Sequence, residues 1–154
     1  MTNRKRLVRE QLQRSLQRFE PLRKVSPPVK GWVRAVRDAL GMNGRQFADR
    51  LGGHRSRTSQ IEQDELAGAV TIRTMRRAAE ALDCVFVYGL VPRTSLEQTV
   101  RDRAEQVAAK RLAQVNQTML LEAQALDPAE SNRAQVEMVR ELVDAAPSTL
   151  WDEQ

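Results

Sequence analysis

Asn43-Gly44-Arg45-Gln46-Phe47-Ala48-Asp49-Arg50-Leu51-Gly52-Gly53-His54-Arg55-Ser56-Arg57-Thr58-Ser59-Gln60-Ile61-Glu62 decides how the rest of the chain is read. It spells a short helix, a glycine turn and a second short helix. Asn43 is a good helix cap, and Gln46 stands where a side chain reaches back to that cap. Phe47, Ala48 and Leu51 share one face at helical spacing. Gly52 and Gly53 can take the backbone angles that stop a helix and turn the chain. The second helix offers only Thr58 and Ile61 for burial. Its other side shows Arg55, Ser56, Arg57, Ser59 and Gln60. A scaffold helix, a close turn and a helix with a hydrogen-bonding outer face are what a major-groove reader needs. The plainer alternative is a helical hairpin with a solvated face, but a hairpin needs neither the double glycine nor so many short donors beside arginine.

On the second helix, the expected base-reading residues are Arg55, Ser56, Arg57, Ser59 and Gln60. Arginine grips both guanine acceptors at once, and glutamine grips adenine in the same way. Which of Arg55 and Arg57 reads a base and which holds a phosphate stays open. Arg45, Gln46 and His54 are expected at the DNA phosphates, with His54 opening the second helix either as its cap or as a phosphate contact. Glu62 and Asp49 are expected to pair with arginines.

The chain has 154 residues and a net charge of +5, with a sequence pI of about 10.1. Residues 1–30 hold nine Lys/Arg against two acids, residues 31–83 nine against seven, and residues 84–154 seven against eleven. The basic front suits phosphate, and the acidic rear suits a protein partner or solvent. One cysteine, Cys84, excludes an internal disulfide or a cysteine zinc cluster. One histidine, His54, removes the Ser-His-Asp triad and paired-histidine metal sites. No enzyme, cofactor or metal is therefore expected. No apolar run is long enough to span a membrane, and no signal core follows the basic N-terminus. A cytoplasmic, nucleoid-associated protein is the expectation.

Four regions follow. Residues 1–30 form a basic helix, Arg4 to Glu20, and a linker from Pro21 to Lys30. Leu7, Val8, Leu12, Leu16 and Phe19 make the helix's apolar stripe. It is either an arm that lays arginines near DNA or a packing helix whose basic face meets water. Residues 31–83 form the helix-turn-helix domain. Its first helix, Gly31 to Leu40, turns Trp32, Val33, Val36 and Leu40 inward. Asp64 to Val70 is read as a loop. Thr71 caps a helix from Ile72 to Leu82 that buries Ile72, Met75, Ala78, Ala79 and Leu82. Residues 84–93 hold the chain's one strand-like run, with Val85, Phe86, Val87, Tyr88, Leu90 and Val91 before Pro92. A lone strand leaves its backbone unpaired, so pairing with a second copy, a homodimer through residues 84–92, is expected; the alternative is a buried helix. Residues 94–154 form the C-terminal helical region. Thr94 or Ser95 caps a helix to about Leu126, and Asp127-Pro128-Ala129-Glu130 starts another that Pro147 stops. Trp151 either folds back on this pair or anchors a partner.

The overall expectation is a mainly α protein. It comprises a Cro/CI-like helix-turn-helix domain, an N-terminal helix, a short dimerising strand and a C-terminal helical extension. Gln46-Phe47-Ala48, Leu51-Gly52 and Ser59-Gln60-Ile61-Glu62 resemble the XRE (Cro/CI-type) helix-turn-helix family. A narrower resemblance joins Gly31 to Arg37, Arg76 to Cys84, Phe86-Val87-Tyr88, Val91-Pro92-Arg93 and Leu150-Trp151-Asp152-Glu153. Together these are similar to the family called mobile mystery protein A. That resemblance implies an antitoxin or regulator encoded beside a Fic-domain protein, with any AMP transfer belonging to the partner. Two functions are then expected: a sequence-specific, homodimeric transcriptional repressor on a palindromic operator, that of its own operon, or an antitoxin that holds a Fic-domain toxin through the C-terminal helices. Two departures stand out. Gly53 and His54 replace the usual small apolar residue and serine cap. The inhibitory Ser/Thr-x-x-x-Glu-Gly/Asn motif is also missing, since Thr118…Glu122 precedes Ala123 and Thr149…Glu153 precedes Gln154.

Overall fold

The computed structural model describes residues 2–122 and 127–152. The chain is mainly helical and divides into two compact units, one of residues 21–89 and one of residues 1–20 with 90–154.

The first unit contains α2 (Trp32–Ala39), α3 (Gly44–Arg50), α4 (Arg55–Ala67) and α5 (Ile72–Ala81). Its core is Val33, Phe47, Leu51, Ile61, Ala78, Ala81 and Leu82, with Val36, Met42 and Met75 against it. Phe47 is fully enclosed. The capping box at α3 is present in both directions: the Gln46 N–H donates to Asn43 Oδ1 and the Asn43 N–H donates to Gln46 Oε1, each at 2.9 Å. Thr71 caps α5 by accepting from the Thr74 N–H at 3.1 Å. The proline-rich linker opens with a 3-10 helix, Glu20–Lys24, rather than irregular chain.

Several expectations are corrected in this unit. Trp32 is about half exposed, and so are Leu40 and Ile72. The buried side of α2 is Val33, Val36 and Arg37, because the Arg37 guanidinium lies against α4 and takes the place a purely apolar stripe would give to Leu40. Asp64 to Ala67 is helix, not loop. Gly68, at φ 69°, is the first residue that α4 cannot absorb. There the Gly68 and Ala69 N–H groups donate to the Glu65 and Asp64 carbonyls, a Schellman end.

Residues 84–91 form neither a strand nor a helix, and no β ladder occurs among the described residues. The segment leaves α5 through Asp83, held at φ 57°. Phe86 and Tyr88 stack at 5.8 Å, and the Arg76 guanidinium lies 5.8 Å from the centre of the Tyr88 ring. Val85, Val87 and Leu90 point to solvent, 86%, 70% and 81% exposed. Only Phe86 and Val91 of this run are partly covered, and no ladder forms.

The second unit contains α1 (Thr2–Gln17), α6 (Leu96–Leu121) and α7 (Pro128–Ala145). Ser95, not Thr94, caps α6 by accepting from the Gln98 N–H at 3.0 Å. The core joins Val100, Ala104, Val107 and Ala108 of α6 to Leu142 and Val143 of α7 and to Leu150. Ala104 and Ala108 are fully buried, so their small side chains allow the close approach of α7. The start of α7 at Pro128 is the one expected. The proposed end of α6 at Leu126, together with Ala123, Glu153 and Gln154, lies outside the described residues. Trp151 does not fold back: it is half exposed, while its neighbour Leu150 is fully buried in a closing 3-10 turn. The Arg103 Nε donates to the Leu150 carbonyl at 2.8 Å and holds that turn.

The apolar stripe of α1 is not its main docking face. Leu7, Val8 and Leu12 stay about half exposed. Lys5, Arg9 and Gln13, four residues apart, meet the ends of α6 and α7 instead. Lys5 Nζ donates to the Ala146 carbonyl at 2.7 Å, and Arg9 Nε to Glu97 at 2.8 Å. The Leu96 N–H donates to Gln13 Oε1 at 2.9 Å. Cations thus sit on the negative end of α7, and an acceptor sits on the positive end of α6.

Candidate nucleic-acid interface

Helix α4 has two sides of different chemistry. One is pinned to the unit at three successive places. Buried Thr58 donates its hydroxyl to the Gly44 carbonyl at 2.8 Å, tying the start of α4 to the start of α3. Ile61 enters the core. Glu62 accepts from Arg37 Nε at 2.7 Å, with both side chains nearly buried, and Arg37 Nη1 also donates to the Met42 carbonyl at 2.8 Å. The hydrogen bond to Glu62 raises the Arg37 pKa above its ordinary value, and the nearby charges of Glu62 and Asp38 act in the same direction against the penalty of burial. Arg37 is therefore a permanent cation clamped between α2 and α4.

One turn further, the Glu65 carboxylate accepts the N–H groups of Trp32 and Val33 at 2.7 and 3.0 Å. It caps α2 from 33 residues away in the chain. Gly31 makes this possible. A Cβ there would stand 2.8 Å from a Glu65 oxygen, and its φ of 80° suits glycine. Two arginines complete the frame: Arg50 donates to the Ala81 carbonyl and Arg77 to the Leu51 carbonyl, each at 3.2 Å.

The other side of α4 is open. Arg55, Ser56, Arg57, Ser59 and Gln60 are all exposed. Among the described residues, the side chains of Arg55, Ser56, Arg57 and Ser59 have no hydrogen-bond or ionic partner. Gln60 is half committed, since its Nε2 donates to Asp64 at 2.8 Å. The double glycine serves two separate purposes. Gly52 alone takes the left-handed angle, φ 71°, while the bare Gly53 leaves room for the Arg57 stem, whose Cδ lies 3.0 Å from where a Cβ would stand. His54 occupies the cap position of α4, exposed and without a side-chain cap bond. Arg45 and Gln46 are exposed at the first turn of α3. Gln46 has its oxygen occupied by the capping box and its NH2 outward-facing chemistry unspent. Of the two acids expected to pair, Glu62 does so, and Asp49 has no partner among the described residues.

Arg37, Glu65, Arg50 and Arg77 were not foreseen as anchors. Glu62 and Glu65 stand three apart on one helix, which would have pointed both at α2 had α4 been read through to Gly68.

Charge separates the two units. Residues 21–89 hold twelve Lys/Arg against seven Asp/Glu, a net +5, whereas residues 1–20 with 90–154 hold thirteen of each. The basic α1 belongs to the neutral unit, where Lys5 and Arg9 are already engaged. The unit containing α4 thus carries the whole net charge. Among the described residues, no cluster of His, Cys, Asp and Glu is arranged to hold a metal ion. No described helix is long and apolar enough to cross a membrane. No protein-family model matches the chain, and neither a curated protein nor a solved structure matches it.

Proposed function

We propose that the chain is a sequence-specific, double-stranded-DNA-binding transcriptional repressor with a Cro/CI-like helix-turn-helix, in which α4 enters the major groove. The observation that carries this reading is the two-sided character of α4: three buried anchors on one side, and unpartnered Arg55, Ser56, Arg57 and Ser59 with Gln60 on the other. Rigid support behind a row of free donors and acceptors suits base reading, because each side chain need not be pulled from an internal partner first. Arg45, Gln46 and His54 hold phosphates at the helix starts. The +5 charge of the same unit supplies the sequence-independent attraction. Residues 84–92 join two copies. Val85, Val87 and Leu90 supply apolar surface, and the unpaired backbone supplies the ladder. The two-fold dimer binds a palindromic operator, and the resemblance noted above makes that operator the chain's own toxin–antitoxin-like promoter.

The test is the triple variant Arg55→Ala, Arg57→Ala, Gln60→Ala on the promoter fragment of its own gene. Affinity for that fragment is expected to fall by at least about a hundredfold, since each bidentate base contact discriminates by ~1–3 kcal/mol. Unchanged affinity overturns the assignment. A second reading, in which the C-terminal helices hold a partner protein such as a Fic-domain toxin, draws on a separate feature: the second unit has no net charge to attract DNA.

A further inference from the structure

Helices α1, α6 and α7 enclose a cleft of about 930 Å³. Its floor is apolar, formed by Val136, Val139 and Val143 of α7, and Val136 is 62% exposed. Its walls carry charges of both signs in regular order. Arg6, Glu10 and Arg14 follow one another at four-residue spacing on α1; Glu97, Arg101 and Glu105 follow at the same spacing, with opposite signs, on α6. Some of these charges are satisfied internally, as in Arg6 with Glu10 and Arg9 with Glu97. Arg14, Arg101 and Glu105 have no partner among the described residues. The lining includes no histidine, cysteine or serine, so no nucleophile–base pair is present there.

An apolar strip flanked by alternating charges at helical spacing is what one helix of a coiled coil offers another. A helix is about 10 Å across and rises ~1.5 Å per residue, so a cleft of this volume takes ~8 residues, or about two turns. A polyanion does not suit it, because the unit is neutral and Glu10, Glu97 and Glu105 lie in the walls.

We propose that this cleft seats about two turns of an amphipathic helix from a partner protein, with an apolar edge on Val136 and Val139 and alternating charges set against Arg14, Arg101 and Glu105. The inference rests on the protein-partner reading and is independent of DNA binding. The partner's helix presents acids to Arg14 and Arg101 and a base to Glu105, so its charge order, not its net charge, confers selectivity.

The test uses the full chain as bait for a displayed library of amphipathic helices whose flanking positions are randomised among Glu, Lys and Gln. The parent chain should enrich helices with alternating flanks. The exposed double variant Arg14→Glu, Arg101→Glu should weaken those helices by at least about tenfold and enrich a set with Lys at the matching positions. Val136→Asp, also at an exposed position, should abolish enrichment while circular dichroism and DNA binding stay as in the parent. Three results of the selection overturn the proposal: no enriched helix, the same helices enriched by the charge-reversed variant, or enriched helices that Val136→Asp does not disturb. The last would leave a protein partner possible but seat it elsewhere. A parent chain whose self-association, read by sedimentation, is lost in Val136→Asp would make a second copy the occupant, and so also overturns it.

Discussion

Arg37 illustrates what a single side chain does in this protein. It joins α2 to α4 through Glu62 and closes the α2–α3 corner through the Met42 carbonyl. Breaking a nearly buried pair leaves the other charge stranded, which costs about 3–5 kcal/mol. Arg37→Ala should therefore lower the unfolding free energy by about 3 kcal/mol, measured by urea denaturation. The sign of the pH dependence follows from its raised pKa. A cation whose folded pKa exceeds its unfolded one stabilises fully below the unfolded value, and loses that effect only as pH rises through the folded value. The difference between parent and Arg37→Ala attributable to arginine titration should thus stay level from neutral pH to about pH 10. Glu65 makes a second case. Glu65→Ala frees two N–H groups at the start of α2 and should cost about 1–3 kcal/mol. Loss of the carboxylate makes room for a Cβ at Gly31, but the positive φ opposes Gly31→Ala, so the double variant should be no more stable than Glu65→Ala.

At the scale of the element, α4 keeps the side chains that hold the fold apart from those proposed to read DNA. Arg55, Arg57 and Gln60 touch nothing in the core, so the triple alanine variant should unfold within about 0.5 kcal/mol of the parent by the same denaturation measurement. A large loss would show that the outer face is structural. Much of this element was legible beforehand. The Asn43–Gln46 box, the glycine turn and the inward Thr58 and Ile61 follow from local rules of spacing and capping, and they hold. What was not legible depends on contacts distant in the chain. Trp32 lies half exposed at the start of α2, where its N–H is capped by Glu65, and nothing near Trp32 in sequence announces that. Asp64 and Glu65 look like loop residues until Glu65 is seen to cap α2. Leu150 rather than Trp151 closes the C-terminal unit, because the tight 3-10 turn admits one large side chain and turns its neighbour outward. On α1 the hydrophobic stripe was plain, but the docking contacts are polar and address helix ends, which periodicity does not detect.

At the scale of the molecule, charge and assembly govern the account. The two units share the bases almost equally, twelve and thirteen, but not the acids, seven and thirteen, which leaves one unit at +5 and the other neutral. Segment 84–91 reads as a strand because it is rich in β-branched and aromatic residues and ends at Pro92; it is not one in a single chain because a ladder needs a second backbone. If two copies supply that ladder, Val87→Asp should shift the sedimentation coefficient from dimer to monomer and weaken operator binding, while leaving each unit folded. A parent chain that sediments as a monomer at micromolar concentration would remove the dimer. The central claim, that the outer face of α4 reads base edges from a two-fold dimer, is tested most directly by selecting binding sites from random duplex DNA with the parent chain and with Arg55→Ala, Arg57→Ala. The account predicts that the parent enriches an inverted repeat whose half-sites lie about 34–36 Å apart, or a multiple of that, and that the variant loses the enriched bases. Enrichment of the same repeat by both proteins, or of no sequence by the parent at low salt, would contradict it.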